Sequence, residues 1–143
     1  MTVEKLLKMK GTQVVTIKPT ASLRDVTREL AAGNFGALVV SKDDKAVVGI
    51  ISERDVIRAI SEKGSDALNL KVSSVMTKEV VTCAPKDKLD DVLSVMSHRR
   101  FRHLPVVEGD VLAGVISMTD LMRKRMEDIQ HEADAMRQFI TGR

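Results

Sequence analysis

The chain has 143 residues, 43% of them apolar, with 23 Lys and Arg against 20 Asp and Glu and a net charge of +3. That length fits one compact domain, and the near-balance of charge argues against the strongly basic face of a nucleic-acid-binding protein. Three Phe with no Trp or Tyr offer no base-stacking platform, and the single Cys83 excludes a disulfide framework or multi-cysteine metal site.

In chain order, Met1-Thr2-Val3-Glu4-Lys5 lacks the layout of a signal peptide, and no apolar run approaches the ~20 residues of a membrane span. A cytoplasmic location is therefore the default expectation. Val3, Leu6 and Leu7 share one side of a short helix that stops near Gly11. Val14 to Ile17 reads as a strand broken by Pro19. Ser22 caps a helix carrying Leu23, Val26, Leu30 and Ala31, with Gly33-Asn34 as its stop. Ala37 to Val40 and Ala46 to Ile51 predict a hairpin turning at Lys42 to Lys45. A helix from Ser52 to about Lys63 follows, and Gly64-Ser65-Asp66 marks a seam.

The order then repeats. A lead-in helix is expected at Val72 to Val75, a strand at Val80 to Thr82, and a helix carrying Leu89, Val92, Leu93 and Met96. A hairpin of Leu104 to Val107 and Val111 to Ile116 turns at Glu108-Gly109-Asp110. In the last helix Met122, Met126, Ile129, Ala133, Met136 and Ile140 alternate at four and three residues, the seam of a helix–helix interface. Self-association through that seam is expected; the alternative is a helix packed on its own domain.

The duplication is explicit. Val14-Val15-Thr16-Ile17-Lys18-Pro19 returns 66 residues later as Val80-Val81-Thr82-Cys83-Ala84-Pro85, and Phe35, Leu38 and Val40 return as Phe101, Leu104 and Val106. Each half, at roughly 60 residues, is too small to be comfortable alone, so the copies should pack together and leave clefts between them. Each unit reads β-α-β-β-α, an α/β arrangement.

Two constellations carry chemistry. Gly49-Ile50-Ile51-Ser52-Glu53-Arg54-Asp55 and Gly114-Val115-Ile116-Ser117-Met118-Thr119-Asp120 are matched strand-to-helix junctions. A helix N-terminus suits a phosphate, and a carboxylate one turn in can accept both hydroxyls of a ribose. Ser-x-x-Asp is also a plain capping motif, and both readings stand at this point. The second constellation is His98-Arg99-Arg100-Phe101-Arg102-His103, where a helix gives way to a strand. Its first three residues suit a helix C-terminus, while Arg102 and His103 lie beyond it and could hold phosphate. Gly36 and Ala37 stand at their equivalents, so the two clefts should be chemically unequal. Catalysis finds little support: His98, His103, His131 and Cys83 show no nucleophile–base or metal-ligand spacing, and an enzyme is not expected.

With those residues in hand, the chain resembles a tandem CBS-domain protein, the module named after cystathionine β-synthase. The resemblance runs from about Leu7 to Arg125. It rests on the two strand openings that end in Pro19 and Pro85, on Arg102-His103-Leu104-Pro105-Val106-Val107 and on the Gly-x-Ile-Ser-x-x-Asp junctions. It implies two CBS repeats packed about a pseudo-twofold axis with an extended C-terminal helix. The units would be residues 1–66, which include the N-terminal helix, residues 67–125, and an extension over 126–143. It further implies a regulatory sensor for an adenosine ligand, AMP before ATP, ADP, NAD(H) or S-adenosylmethionine. Such a sensor would act in trans on a protein partner, as a homodimer forming a four-repeat disc. The alternative is a scaffolding homodimer without ligand. Carried over, ribose falls to Asp120 and Asp55, and phosphate to Ser117 and Thr119 or to Ser52 and Arg54, with Arg102 and His103 as a clamp. Adenine would lie near the backbone of Thr16 and Lys18, or Thr82 and Ala84, sandwiched by aliphatic neighbours. Pro105 is also expected to bind ligand, as are Gly36 and Ala37, which replace the basic pair in the first repeat. The Asp120 cleft is expected to be the better site.

Overall fold

Two hydrophobic cores, one per repeat, organise the chain in the computed structural model, which describes residues 1–12 and 14–142. In the first repeat the order is helix α1 (Val3–Lys10), strand β1 (Thr16–Ile17), helix α2 (Leu23–Gly33), strands β2 (Ala37–Val40) and β3 (Gly49–Ser52), and helix α3 (Glu53–Lys63). A 3-10 helix over Gly64–Asn69 occupies the expected seam. Helices α4 (Val72–Val75) and α5 (Leu89–Arg99), strands β4 (His103–Glu108) and β5 (Val111–Ser117), and helix α6 (Met118–Thr141) complete the second. β1 pairs parallel with β2, and β2 antiparallel with β3; β4 and β5 form an antiparallel pair.

Local chemistry explains most boundaries. Ser22 and Asp25 close a capping box that starts α2, and Asn34 ends it in the left-handed conformation at φ 53°. β3 starts at Gly49 rather than Ala46, because Asp43 Oδ1 accepts the amides of Lys45 and Ala46 at 3.0 and 2.9 Å and keeps them in the turn.

The expected strand at Val80 to Thr82 does not form. One parallel bridge joins Cys83 to Val106, through Cys83 N–H to the Pro105 carbonyl at 3.0 Å and Val107 N–H to the Cys83 carbonyl at 2.8 Å. Pro105 has no N–H to donate back, so the ladder goes no further; its counterpart Val39 pairs with Thr16 in β1.

The lead-in helices are exchanged between the cores. α1, first in the chain, buries Val3, Leu6 and Leu7 among Cys83, Met96, Leu104 and Ile116 of the second repeat. α4, which opens the second repeat, buries Val72 among Leu23, Leu38 and Ile51 of the first. Backbone bonds repeat the exchange. Val3 N–H reaches Asp87 and Glu4 N–H reaches Pro85, while Val72 N–H reaches Ala21 and Ser73 N–H reaches Pro19, all at 2.8–3.0 Å. The junction glycines are where these helices press closest. A Cβ on Gly114 would lie 2.8 Å from Leu7 Cδ2, and one on Gly49 2.5 Å from Met76 Sδ. This reciprocity is what a pseudo-twofold relation between repeats requires.

Candidate functional site

Both strand-to-helix junctions fold as complete capping boxes. Asp55 Oδ2 accepts the Ser52 amide at 2.9 Å while Ser52 Oγ accepts the Asp55 amide at 3.4 Å. Asp120 Oδ2 accepts the Ser117 amide at 2.9 Å, and Ser117 Oγ accepts the Asp120 amide at 3.1 Å. The two carboxylates are equally buried, with side chains 15% and 14% exposed.

Their partners differ. Lys10, at the end of the exchanged helix α1, donates Nζ to Asp120 Oδ2 at 2.6 Å and to the Val115 carbonyl at 2.8 Å. Among the described residues the basic partner of Asp55 is Arg58, at 3.8 Å, and the Ser52 hydroxyl also donates to its Oδ2 at 3.1 Å. Burial pushes the Asp120 carboxyl up, but the bond from Lys10 and the Ser117 amide outweigh it, and the group sits below the ordinary carboxylate value.

His103 from the second repeat lies across Gly36 of the first. A Cβ on Gly36 would be 3.1 Å from ring atoms Cε1 and Nε2, so the glycine leaves the space the imidazole fills. Burial and then Arg102 hold the imidazole below its usual value, against the opposing pull of Asp120 and Glu53. These groups surround a cleft of about 240 Å³ lined by Lys10, Val14, Val15, Phe35, Gly36, Ala37, His103, Ser117 and Asp120, among others. Its walls come from both repeats.

Of the residues singled out in the sequence, Gly36, Ala37, His103, Ser117 and Asp120 meet in this cleft. Arg102 does not line it and is exposed, although the expected clamp paired it with His103. Neighbouring residues entering an extended strand point to opposite sides, so only one of the two can face inward. Thr119 is likewise exposed, because successive helix positions diverge while Ser117 and Asp120, three apart, share a face. Thr16 donates its hydroxyl to Asp44 rather than lining the cleft. Lys18 is exposed, as are Thr82 and Ala84 on either side of buried Cys83, and Pro105 is buried in β4. Ser52 and Asp55 stay at the other junction, with Arg54 exposed beside them. Asp55 instead lines a separate hollow with Arg58, Glu62 and Lys63.

Sequence reasoning missed Lys10, Val14 and Val15 as lining residues. Lys10 is a basic residue in the last turn of a short helix, a placement the helix dipole already accounts for. Only the exchange of α1 brings it to Asp120. Cys83 carries no reactive character: burial, then Asp87, pushes its thiol up to about 12. Among the described residues no group of three His, Cys, Asp or Glu could hold a metal ion, and no helix is long and apolar enough to cross a membrane.

Comparison with known proteins gives these features a context. The CBS domain model matches residues 7–62 and again 72–127. A CBS-domain-containing protein of Agrobacterium tumefaciens, known by crystal structure, is 40% identical, with 87% of this chain and 99% of that one covered and a TM-score of 0.84. An uncharacterized 17.7 kDa protein of Acidianus ambivalens is 33% identical over 86% of this chain and 74% of its own length. The CBS domain pair of protein MJ0100, solved with 5′-methylthioadenosine and S-adenosyl-L-methionine, shares the fold at a TM-score of 0.80. Its identity is 21%, over 90% of this chain and 98% of that one.

Proposed function

The chain belongs to the CBS-domain family, with one copy at residues 7–62 and a second at 72–127, and from that premise we propose that it is a regulatory module binding an adenosine nucleotide in the Asp120 cleft. The observation that carries the reading is the Asp120 carboxylate itself. It is held at a helix N-terminus in a cleft walled by both repeats, and its hydrogen bonds among the described residues fall on Oδ2. Oδ1 is thus left to accept from a ribose hydroxyl. Lys10 and His103 are the donors for a phosphate, and Gly36 and Ala37 form a low wall against which a ring can lie. Ser117 Oγ accepts the Asp120 amide in the cap, which leaves its O–H to donate to the same phosphate as Lys10.

AMP is the ligand this set suits best, with ADP, ATP and NAD(H) in the same class. The MJ0100 pair is solved with 5′-methylthioadenosine and S-adenosyl-L-methionine. Neither carries a phosphate, whereas the Lys10 ammonium here favours an anionic ligand, with the neutral His103 imidazole as a further donor. A ligand wedged between repeats signals by binding one arrangement of them better than another, and a homodimer would pass that change in trans to a protein partner. A scaffolding role without ligand is the second reading, favoured by the fact that both Ser-x-x-Asp pairs are complete caps.

A thermal-shift panel of AMP, ADP, ATP, NADH and S-adenosylmethionine separates the two, since a ligand of the native state raises Tm. The expected result is a shift with AMP that Asp120→Ala abolishes. No shift with any of the five leaves the scaffold.

A further inference from the structure

Helix α6 continues well past the module, and its apolar side faces away from it. Leu121 is buried in the second core, while Lys124 and Asp128, joined at 2.9 Å, line a hollow with Met1 and Leu89. On the other side, Met122, Met126, Ile129, Met136 and Ile140 are 47–75% exposed. With Ala133 they form an uninterrupted a/d seam: Met126, Ala133 and Ile140 at a, and Met122, Ile129 and Met136 at d.

The flanking charges choose the occupant and its direction. At the g and e positions stand Arg125, Glu132 and Phe139, and Arg123, Gln130 and Arg137. In a parallel pair of α6 helices each g residue meets the e residue five further along its partner. Glu132 then faces Arg137 of the second copy on both sides of the seam, and Arg125 faces Gln130. No like charges oppose. In an antiparallel pair of equal overlap, with Met122 opposite Ile140, g meets g and e meets e. Arg123 then faces Arg137 twice and Glu132 faces Glu132. We propose that α6 docks a second copy of this chain as a parallel, in-register two-stranded coiled coil over residues 122–140, placing both CBS modules at the same end. The inference rests on the self-association proposed above and is independent of the nucleotide reading.

The test uses the full chain carrying Met136→Cys. In the parallel coil the two introduced thiols are directly opposed. In the antiparallel pair residue 136 faces 126, and the two thiols are ten residues, about 15 Å, apart along the axis, beyond the reach of a disulfide. Cys83 is buried and does not compete. Sedimentation velocity on the native chain should show a dimer, and mild oxidation of the variant a disulfide-linked dimer. Glu132→Arg should raise the dimer dissociation constant about tenfold, and Glu132→Arg combined with Arg137→Glu should restore it. A monomeric native chain overturns both self-association and the coil. A native dimer whose Met136→Cys variant does not cross-link, or whose affinity ignores Glu132→Arg, overturns the coil alone.

Discussion

The Asp55 and Asp120 junctions are built alike and equipped differently. Each is a Ser-capped helix start following a glycine, each carboxylate is nearly buried, and each is overlain by a lead-in helix from the other end of the duplication. The difference arrives with that helix. Val3 and Val72 are counterparts 69 residues apart, but α1 runs on to Lys10 whereas α4 ends at Val75. A cation thus reaches Asp120, whereas the basic partner of Asp55 among the described residues is Arg58 of its own helix, at 3.8 Å. A second difference lies at the strand ends, where Gly36 faces His103 across the boundary between repeats. Duplication preserved the scaffold, and the side chains delivered to it by neighbouring segments made the two junctions unequal.

The exchange of lead-in helices is the part of this contrast with the largest consequence. Leu7→Ala removes a buried side chain from the second core and should cost about 3 kcal/mol in chemical denaturation. The loss of amide protection should centre on Met96, Leu104 and Ile116 rather than on Leu38 and Ile51. Loss centred on the first repeat would break the assignment of α1.

The charge difference comes next. Lys10→Glu replaces the cation paired with Asp120 by an anion. Calorimetry should show AMP affinity falling about tenfold, as for a lost charge-assisted bond, with adenosine nearly unaffected. Equal losses for both ligands would remove phosphate binding from Lys10. Two equal AMP sites in the native chain would erase the contrast between junctions.

The smallest effect is that of His103. Its folded-state pKa lies below the usual 6.5, so the unfolded chain takes up the proton first. Its stability contribution is whole above about pH 6.5 and declines as pH falls from there through the folded-state value. Urea midpoints between pH 7.5 and 5 should show that slope, and His103→Gln should flatten it. An unchanged slope would place the titration elsewhere.

Much of this was legible in the chain itself, because local rules wrote it. The repeat, the helix periods, the serine caps and the turn at Glu108-Gly109-Asp110 all depend on residues a few positions apart, and all stand in the structure. So do Asp120, Ser117 and His103 as residues facing one cleft. Arg102 and Thr119 were misplaced because adjacency in sequence is divergence in space on a strand or a helix. Lys10 was missed because 110 residues separate it from its partner.

What the sequence by itself determined is therefore the unit: its α/β order, its duplication and the carboxylate at each junction. Tertiary structure alone decided which segments share a core and which side chains meet. A pseudo-twofold packing buries each lead-in helix against the other repeat's glycine, and no local period encodes that pairing. The inequality of the two junctions, visible in the sequence as Gly36-Ala37 against Arg102-His103, becomes in three dimensions one contact, His103 over Gly36, and one ion pair, Lys10 to Asp120.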